Sequence, residues 1–144
     1  KAVVNAIERI DNKTMHISME EMMLHVRNFN RNQHKIALST QTGYEMVYIR
    51  EIMYCQSEGS YTRFLFTNEE ELLVSKNLKY YENLLSEYGF SRSHNTTLVN
   101  LLYVKRLERS GGGYLVMENN KTLPVSKSKR QELEALIKEQ RRLI

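Results

Sequence analysis

Phe90-Ser91-Arg92-Ser93-His94-Asn95-Thr96-Thr97-Leu98-Val99-Asn100 places apolar anchors, a cation, an imidazole, two amides and four hydroxyls within eleven residues. A strand that serves only a core alternates apolar and polar positions along its length. Here Phe90 stands at one end, Leu98 and Val99 at the other, and the middle is a run of hydrogen-bonding groups. Asn, Arg and His side chains read base edges or hold phosphate oxygens, so the stretch suggests two short strands presenting a polar turn to a nucleic acid. A well-bonded surface loop is the plainer alternative that these residues leave open.

The flanking segments read mainly as strands. Before the stretch, Lys35 to Thr40 and Tyr44 to Ile49 are separated by Gln41-Thr42-Gly43, a hairpin spacing. Met53 to Ser57 and Tyr61 to Phe66 flank Glu58-Gly59-Ser60, and Glu71 to Val74 follows Asn68-Glu69-Glu70. Short runs rich in Ile, Val, Tyr, Phe and Thr joined by tight turns predict a mostly antiparallel sheet system. The alternation of Tyr61, Arg63 and Leu65 with Thr62, Phe64 and Phe66 predicts one packed face and one partly polar face. Ser75 is the expected N-cap of a covering helix in which Leu78, Tyr81, Leu84, Leu85 and Tyr88 share a face, and Gly89 is placed to end it.

After the stretch come Tyr103 to Leu107, the turn Ser110-Gly111-Gly112-Gly113, Tyr114 to Met117, Glu118-Asn119-Asn120 and Lys121 to Val125. The glycine triplet lacks a following Lys-Ser/Thr and a helix behind it, so it reads as a hairpin turn rather than a phosphate loop. A last helix opens with Ser128 to Gln131 as a capping box and carries Leu133, Leu136, Ile137 and Gln140 on one stripe. Its leading turn, Ser126-Lys127-Ser128-Lys129-Arg130, combines unpaired backbone N–H groups, hydroxyls and three cations, a ready phosphate site. A solvated basic cap explains the same residues as well.

Upstream, Val3, Val4, Ala6, Ile7 and Ile10 recur at helical spacing until Asp11-Asn12-Lys13. The chain thus begins inside a helical pattern, which is expected to belong to an upstream domain or a linker. Ser18 with Glu21 forms a capping box for a second helix bearing Met19, Met22, Met23, Val26 and Phe29. That Met-rich face suits docking on an adjacent domain or a second copy better than holding a cofactor.

Composition bounds the function. The 144 residues suffice for one domain with a real core and a modest extension. With 41% hydrophobic residues and a mean hydropathy of -0.54, no membrane span or signal peptide is expected, and the chain reads as cytoplasmic. The single cysteine, Cys55, forbids an internal disulfide and a Cys-rich zinc site. The net charge is +4, yet residues 58–87 carry three Lys/Arg against six Glu, and residues 92–130 carry eight against two. That swing permits a basic face for an anionic partner.

No enzyme is expected. A catalytic reading needs a nucleophile with a base and a metal or oxyanion site. Cys55 and His94 could pair in principle, but Cys55 sits in Ile52-Met53-Tyr54-Cys55, which reads as a buried strand. His16, His25 and His34 form no zinc spacing, GxSxG, Walker A and GxGxxG are absent, and no metal or cofactor is expected.

Residues 35–133 resemble the LytTR DNA-binding domain, the output module of a class of bacterial two-component response regulators. Ile49 to Thr62 is similar to the family's I-x-Y-x-E-A-x-G-x-Y pattern, and Val74-Ser75-Lys76-Asn77-Leu78 with Leu84-Leu85 to its S-L-x-x-L-E-x-x-L helix. Phe90 to Asn100 resembles F-x-R-x-H-R/N-S-x-L/I-V-N, and Leu123-Pro124-Val125-Ser126-Lys127 resembles L-P-V-S-R/K, with Ser93 and Thr97 departing from the usual hydrophobic residues. The resemblance implies a mainly β fold, elongated and antiparallel, of short strands in small sheets with a covering helix and a C-terminal helix. It implies residues 1–33 as a linker or helical extension from an upstream receiver that the sequence lacks, and residues 34–144 as the DNA-binding domain.

The resemblance also implies loops that enter successive major grooves of double-stranded DNA. The contacts it carries over are Thr62 and Arg63, then His94 and Asn95, then Lys127, with Arg92, Lys129 and Arg130 as further DNA-binding candidates. A homodimer on paired sites and a sensor histidine kinase acting through the missing receiver are the implied partners. Asn95 suits a bidentate contact to adenine, Arg63 guanine edges and Lys127 phosphate. Arg92 is expected to position the loop or a phosphate, Asn100 to tie the turn together, and Tyr54, Tyr61 and Phe64 to be core. Two other readings stay open: a protein-interaction module using the Met-rich helix and sheet edges, and an RNA-binding domain.

Overall fold

The computed structural model describes residues 19–23 and 33–141. The first group falls in one compact unit and the second in another. Residues 19–23 are helical, as the Met spacing predicts, with Met19, Met22 and Met23 exposed. The helix expected over residues 1–10, the Ser18 cap, His16, His25, Val26 and Phe29 lie outside the described residues.

The second unit is mainly β. Its elements are β1 (Lys35–Ser39), β2 (Tyr44–Tyr48), β3 (Ile52–Glu58), β4 (Tyr61–Phe66), β5 (Glu71–Val74), helix α1 (Leu78–Leu85), β6 (Phe90–His94), β7 (Thr97–Asn100), β8 (Val104–Glu108), β9 (Tyr114–Met117), β10 (Thr122–Pro124) and helix α2 (Lys127–Arg141). They form a two-stranded sheet β1-β2, a five-stranded sheet β5-β4-β3-β7-β6 and a three-stranded sheet β10-β9-β8. Every pairing is antiparallel. The turns anticipated at the glycine triplet and at Glu58-Gly59-Ser60 join neighbouring strands, and Gly59 takes the left-handed conformation its turn requires (φ 62°).

Two apolar cores lie on opposite faces of the five-stranded sheet. Ile52 and Cys55 of β3, Phe64 of β4 and Leu98 of β7 join Leu38 and Val47 of the first hairpin and Leu78, Tyr81 and Leu85 of α1. Met53 and Tyr54, Leu65 and Val99 instead meet Leu115 and Met117 of β9, Leu123 and Val125, and Leu133 of α2. A strand covered on both sides loses its alternation, which is why Ile52-Met53-Tyr54-Cys55 is buried throughout. A bulge at Met53 keeps both sets of side chains inward.

Three sequence expectations change in detail. Asn77, not Ser75, caps α1: it stands in extended conformation directly before the first helical residue and accepts the Tyr80 N–H at 2.9 Å. Ser75 is spent elsewhere, its N–H and Oγ both donating to the Ser39 carbonyl (2.8 and 3.2 Å). Leu84 leaves the buried face that Leu78, Tyr81 and Leu85 share, and α2 begins at Lys127, so Ser128 lies inside the first turn. Gly89 does end the helical segment, in the left-handed region (φ 88°).

Cys55 has no exposed surface, and burial pushes its thiol well above the usual range. The sign follows: the fold holds the neutral thiol, so stability linked to it is complete below the unfolded thiol's pKa of about 8.5 and falls above it. A thiol-reactive reagent at about pH 8 is therefore expected to leave the folded chain unlabelled and to react after denaturation. Rapid labelling of one thiol per folded chain would contradict this packing.

Candidate nucleic-acid interface

Strands β6 and β7 meet in a tight turn at Asn95-Thr96, held from several sides. The Thr96 N–H donates to His94 Nδ1 (3.2 Å), and the Ser57 N–H at the end of β3 donates to the Thr96 carbonyl (2.9 Å). Arg92 donates from Nε to the His94 carbonyl (3.2 Å) and from Nη2 to the Asn95 carbonyl (2.7 Å). Its Nη1 reaches Glu82 of α1 at 2.5 Å. With Nδ1 accepting, the proton of neutral His94 sits on Nε2, which is left as a donor. The Asn95 side chain is exposed and has no hydrogen-bond partner among the described residues.

A bulge in β6 decides which way these residues face. Arg92 lies opposite Leu98 and His94 opposite Thr97, so Ser93 is the extra residue. Ser93 turns fully inward, donating from Oγ to the Pro124 carbonyl (2.9 Å) and accepting the Ser126 N–H on its own carbonyl (2.8 Å). A serine where a hydrophobic residue is usual thus latches the strand to the segment leading into α2. Thr97, also buried, is satisfied by Gln56 Nε2 and the Thr96 hydroxyl. The Ser93 latch bonds the residue before Lys127 to the residue before His94, and Lys127 is exposed, with no ion-pair partner among the described residues.

The other sequence candidates divide. Arg63 shares a cross-sheet row with Gln56, Thr97 and His94, which sets it three strands from His94, roughly 14 Å away. It is gripped by Glu58 (2.6 Å) and Glu71 (2.9 Å), whose carboxylates raise the guanidinium pKa, Glu58 foremost. Thr62 has no exposed surface, and its hydroxyl donates to the Lys76 carbonyl (2.9 Å), because even positions of β4 face the α1 side. Arg130 Nη2 donates to the Gly112 carbonyl at 2.5 Å and Nε is buried, so the guanidinium closes the β8–β9 turn. Lys129 leans on Glu132 at 3.7 Å. Asn100 does tie the structure, bonding the Ile52 carbonyl and the Leu102 N–H. Tyr54 and Phe64 are core, whereas Tyr61 is 37% exposed at the end of β4.

Sequence reasoning missed Glu82 and Gln56. Glu82 lies next to Tyr81 on α1, but nothing local places it against Arg92; that follows from the packing of α1 on β6.

A family model described as the LytTr DNA-binding domain matches residues 42–138. The chain belongs to the LytTR DNA-binding domain family. That is a family of DNA-binding domains rather than of enzymes. The sensory transduction protein LytT of Bacillus subtilis (strain 168) is 28% identical over 113 residues, covering 77% of this chain and 46% of the relative. The chain therefore spans less than half the length of that relative. The solved LytTr DNA-binding domain of a methyl-accepting/DNA response regulator from Bacillus cereus shares the fold, with a TM-score of 0.62 at 24% identity over 73% of this chain and 97% of that one. The mainly β architecture, small antiparallel sheets with a C-terminal helix, is thus that of the LytTR domain. Among its described residues no three His, Cys, Asp or Glu side chains gather as a metal site, and no helix is long and apolar enough to cross a membrane.

Proposed function

We propose that this LytTR domain binds duplex DNA sequence-specifically, as the cytoplasmic output domain of a two-component response regulator that controls transcription. The observation that carries the reading is the anchored β6–β7 turn, which offers an unpartnered Asn95 amide and the His94 ring, and whose strand β6 is latched at Ser93 to the residue before Lys127. An amide on a fixed turn suits a bidentate contact to adenine, and a lysine at a helix start suits a phosphate. Arg63 joins the contact set by exchanging Glu58 and Glu71 for DNA, and Lys129 supplies charge at the helix start. Residues 1–33 are then the extension from an upstream receiver, through which a sensor histidine kinase acts. Two copies bind paired sites about one helical turn or a multiple of it apart.

Selection of bound duplexes from a random pool, followed by titration at several salt concentrations, tests this. A recovered motif with salt-dependent affinity supports it; no shift at any salt, as for a protein-only module, or preferential competition by single-stranded RNA would refute it. Lys127→Ala is expected to weaken selected and scrambled duplexes alike and to lower the salt slope by about one. An unchanged slope would remove Lys127 from the phosphate contacts.

A further inference from the structure

The sequence offers two roles for Arg92, positioning the turn or touching DNA, and the geometry separates them. A guanidinium has five N–H donors in a rigid fork. Three of its nitrogens are engaged inside the domain: Nε with the His94 carbonyl, Nη2 with the Asn95 carbonyl, Nη1 with Glu82. The group is largely covered, with the Arg92 side chain 20% and the Glu82 side chain 27% exposed. Its charge is met by a carboxylate on α1, a helix fixed to the first core by Leu78, Tyr81 and Leu85. The β6 bulge keeps Arg92 on the α1 side of the sheet while His94 is carried to the other side.

We infer that Glu82 and Arg92 form a positioning pair: α1 holds the guanidinium through Glu82, and the guanidinium holds the two turn carbonyls that set the direction of Asn95. Arg92 is then a strut and not a phosphate contact, and α1 takes part in sequence discrimination from behind the binding surface. The inference rests on the DNA-binding reading for its functional consequence, but its structural content stands apart from DNA.

The two alternatives give Glu82→Ala opposite signs. If Arg92 served phosphate, removing Glu82 would free a cation and delete an anion, so every duplex would bind more tightly with a steeper salt slope. If Arg92 is a strut, the turn loosens, and the ratio of affinities for the selected and scrambled duplexes falls about tenfold while the salt slope does not drop. Glu82→Gln keeps an oxygen that accepts from Nη1 and is expected to hold the ratio within about twofold. Arg92→Lys loses the fork and is expected to behave like Glu82→Ala. In an Asn95→Ala background, Glu82→Ala should lower the ratio no further.

Hydrogen exchange on the full chain without DNA supplies the second readout. The Thr96 and Ser57 amides, which bond across the turn, are expected to exchange faster in Glu82→Ala while the Cys55 and Leu98 amides keep their protection. Unchanged exchange at Thr96 and Ser57 overturns the pair whether or not DNA binds, as does tighter binding of both duplexes by Glu82→Ala. If the wild type selects no duplex, the DNA-binding reading fails, and the exchange result still decides the strut.

Discussion

Replacing Phe64 by Ala is expected to destabilise the folded domain by about 3–5 kcal/mol, the largest effect foreseen for any single change. Phe64 has no exposed surface and sits at the centre of the first core, edge-on to Tyr81 at 4.9 Å and beside Phe66 at 6.3 Å. Through those contacts it joins β4 to α1, so the cavity left by its ring would open between sheet and helix. Small domains have only about 5–15 kcal/mol in total, and a loss of this size removes much of the margin. Chemical denaturation of wild type and variant gives the difference directly. Phe64→Leu, which keeps most of the volume, should cost well under half as much. A loss below about 1 kcal/mol for the alanine variant would show that the core collapses around the site or that Phe64 is not its centre.

Asn95→Ala is expected to weaken binding to the selected duplex by about 2 kcal/mol, roughly 30-fold, with little change on a scrambled duplex. The residue is exposed and its amide has no partner among the described residues, so folding stability should be unaffected. The pattern is opposite to that of Lys127→Ala, which acts on all sequences. Affinity and salt slope measured on both duplexes separate the two. An equal loss on selected and scrambled DNA would make Asn95 a phosphate contact, and no loss on either would remove it from the interface.

The strand and turn pattern was legible because it is local. Period-two alternation, glycine at positive φ and the spacing of Leu78, Tyr81 and Leu85 depend only on near neighbours, and the predicted strands fall within a residue or two of the observed ones. The errors are also local: Ser75 and Asn77 are both good caps, and only the site at which the helix starts decides between them. The family pattern groups Thr62 with Arg63, but adjacent residues on a strand face opposite ways, and Thr62 faces the core. Arg130 looked like part of a basic cluster until the β8–β9 turn folded back to accept its guanidinium.

The sequence by itself determined the family, the order and type of the elements, and the polar centre of residues 90–100, since each is written in residue types at short spacing. Tertiary structure alone decided which of those polar groups are free to meet a partner. Arg92 is tied to α1, Ser93 to the Pro124–Ser126 segment, and Arg63 to two carboxylates, while Asn95 and Lys127 remain open. The physical reason is that a hydrogen-bonding side chain is defined by its partners, and here those partners come from other elements, 5 to 33 residues away in the chain.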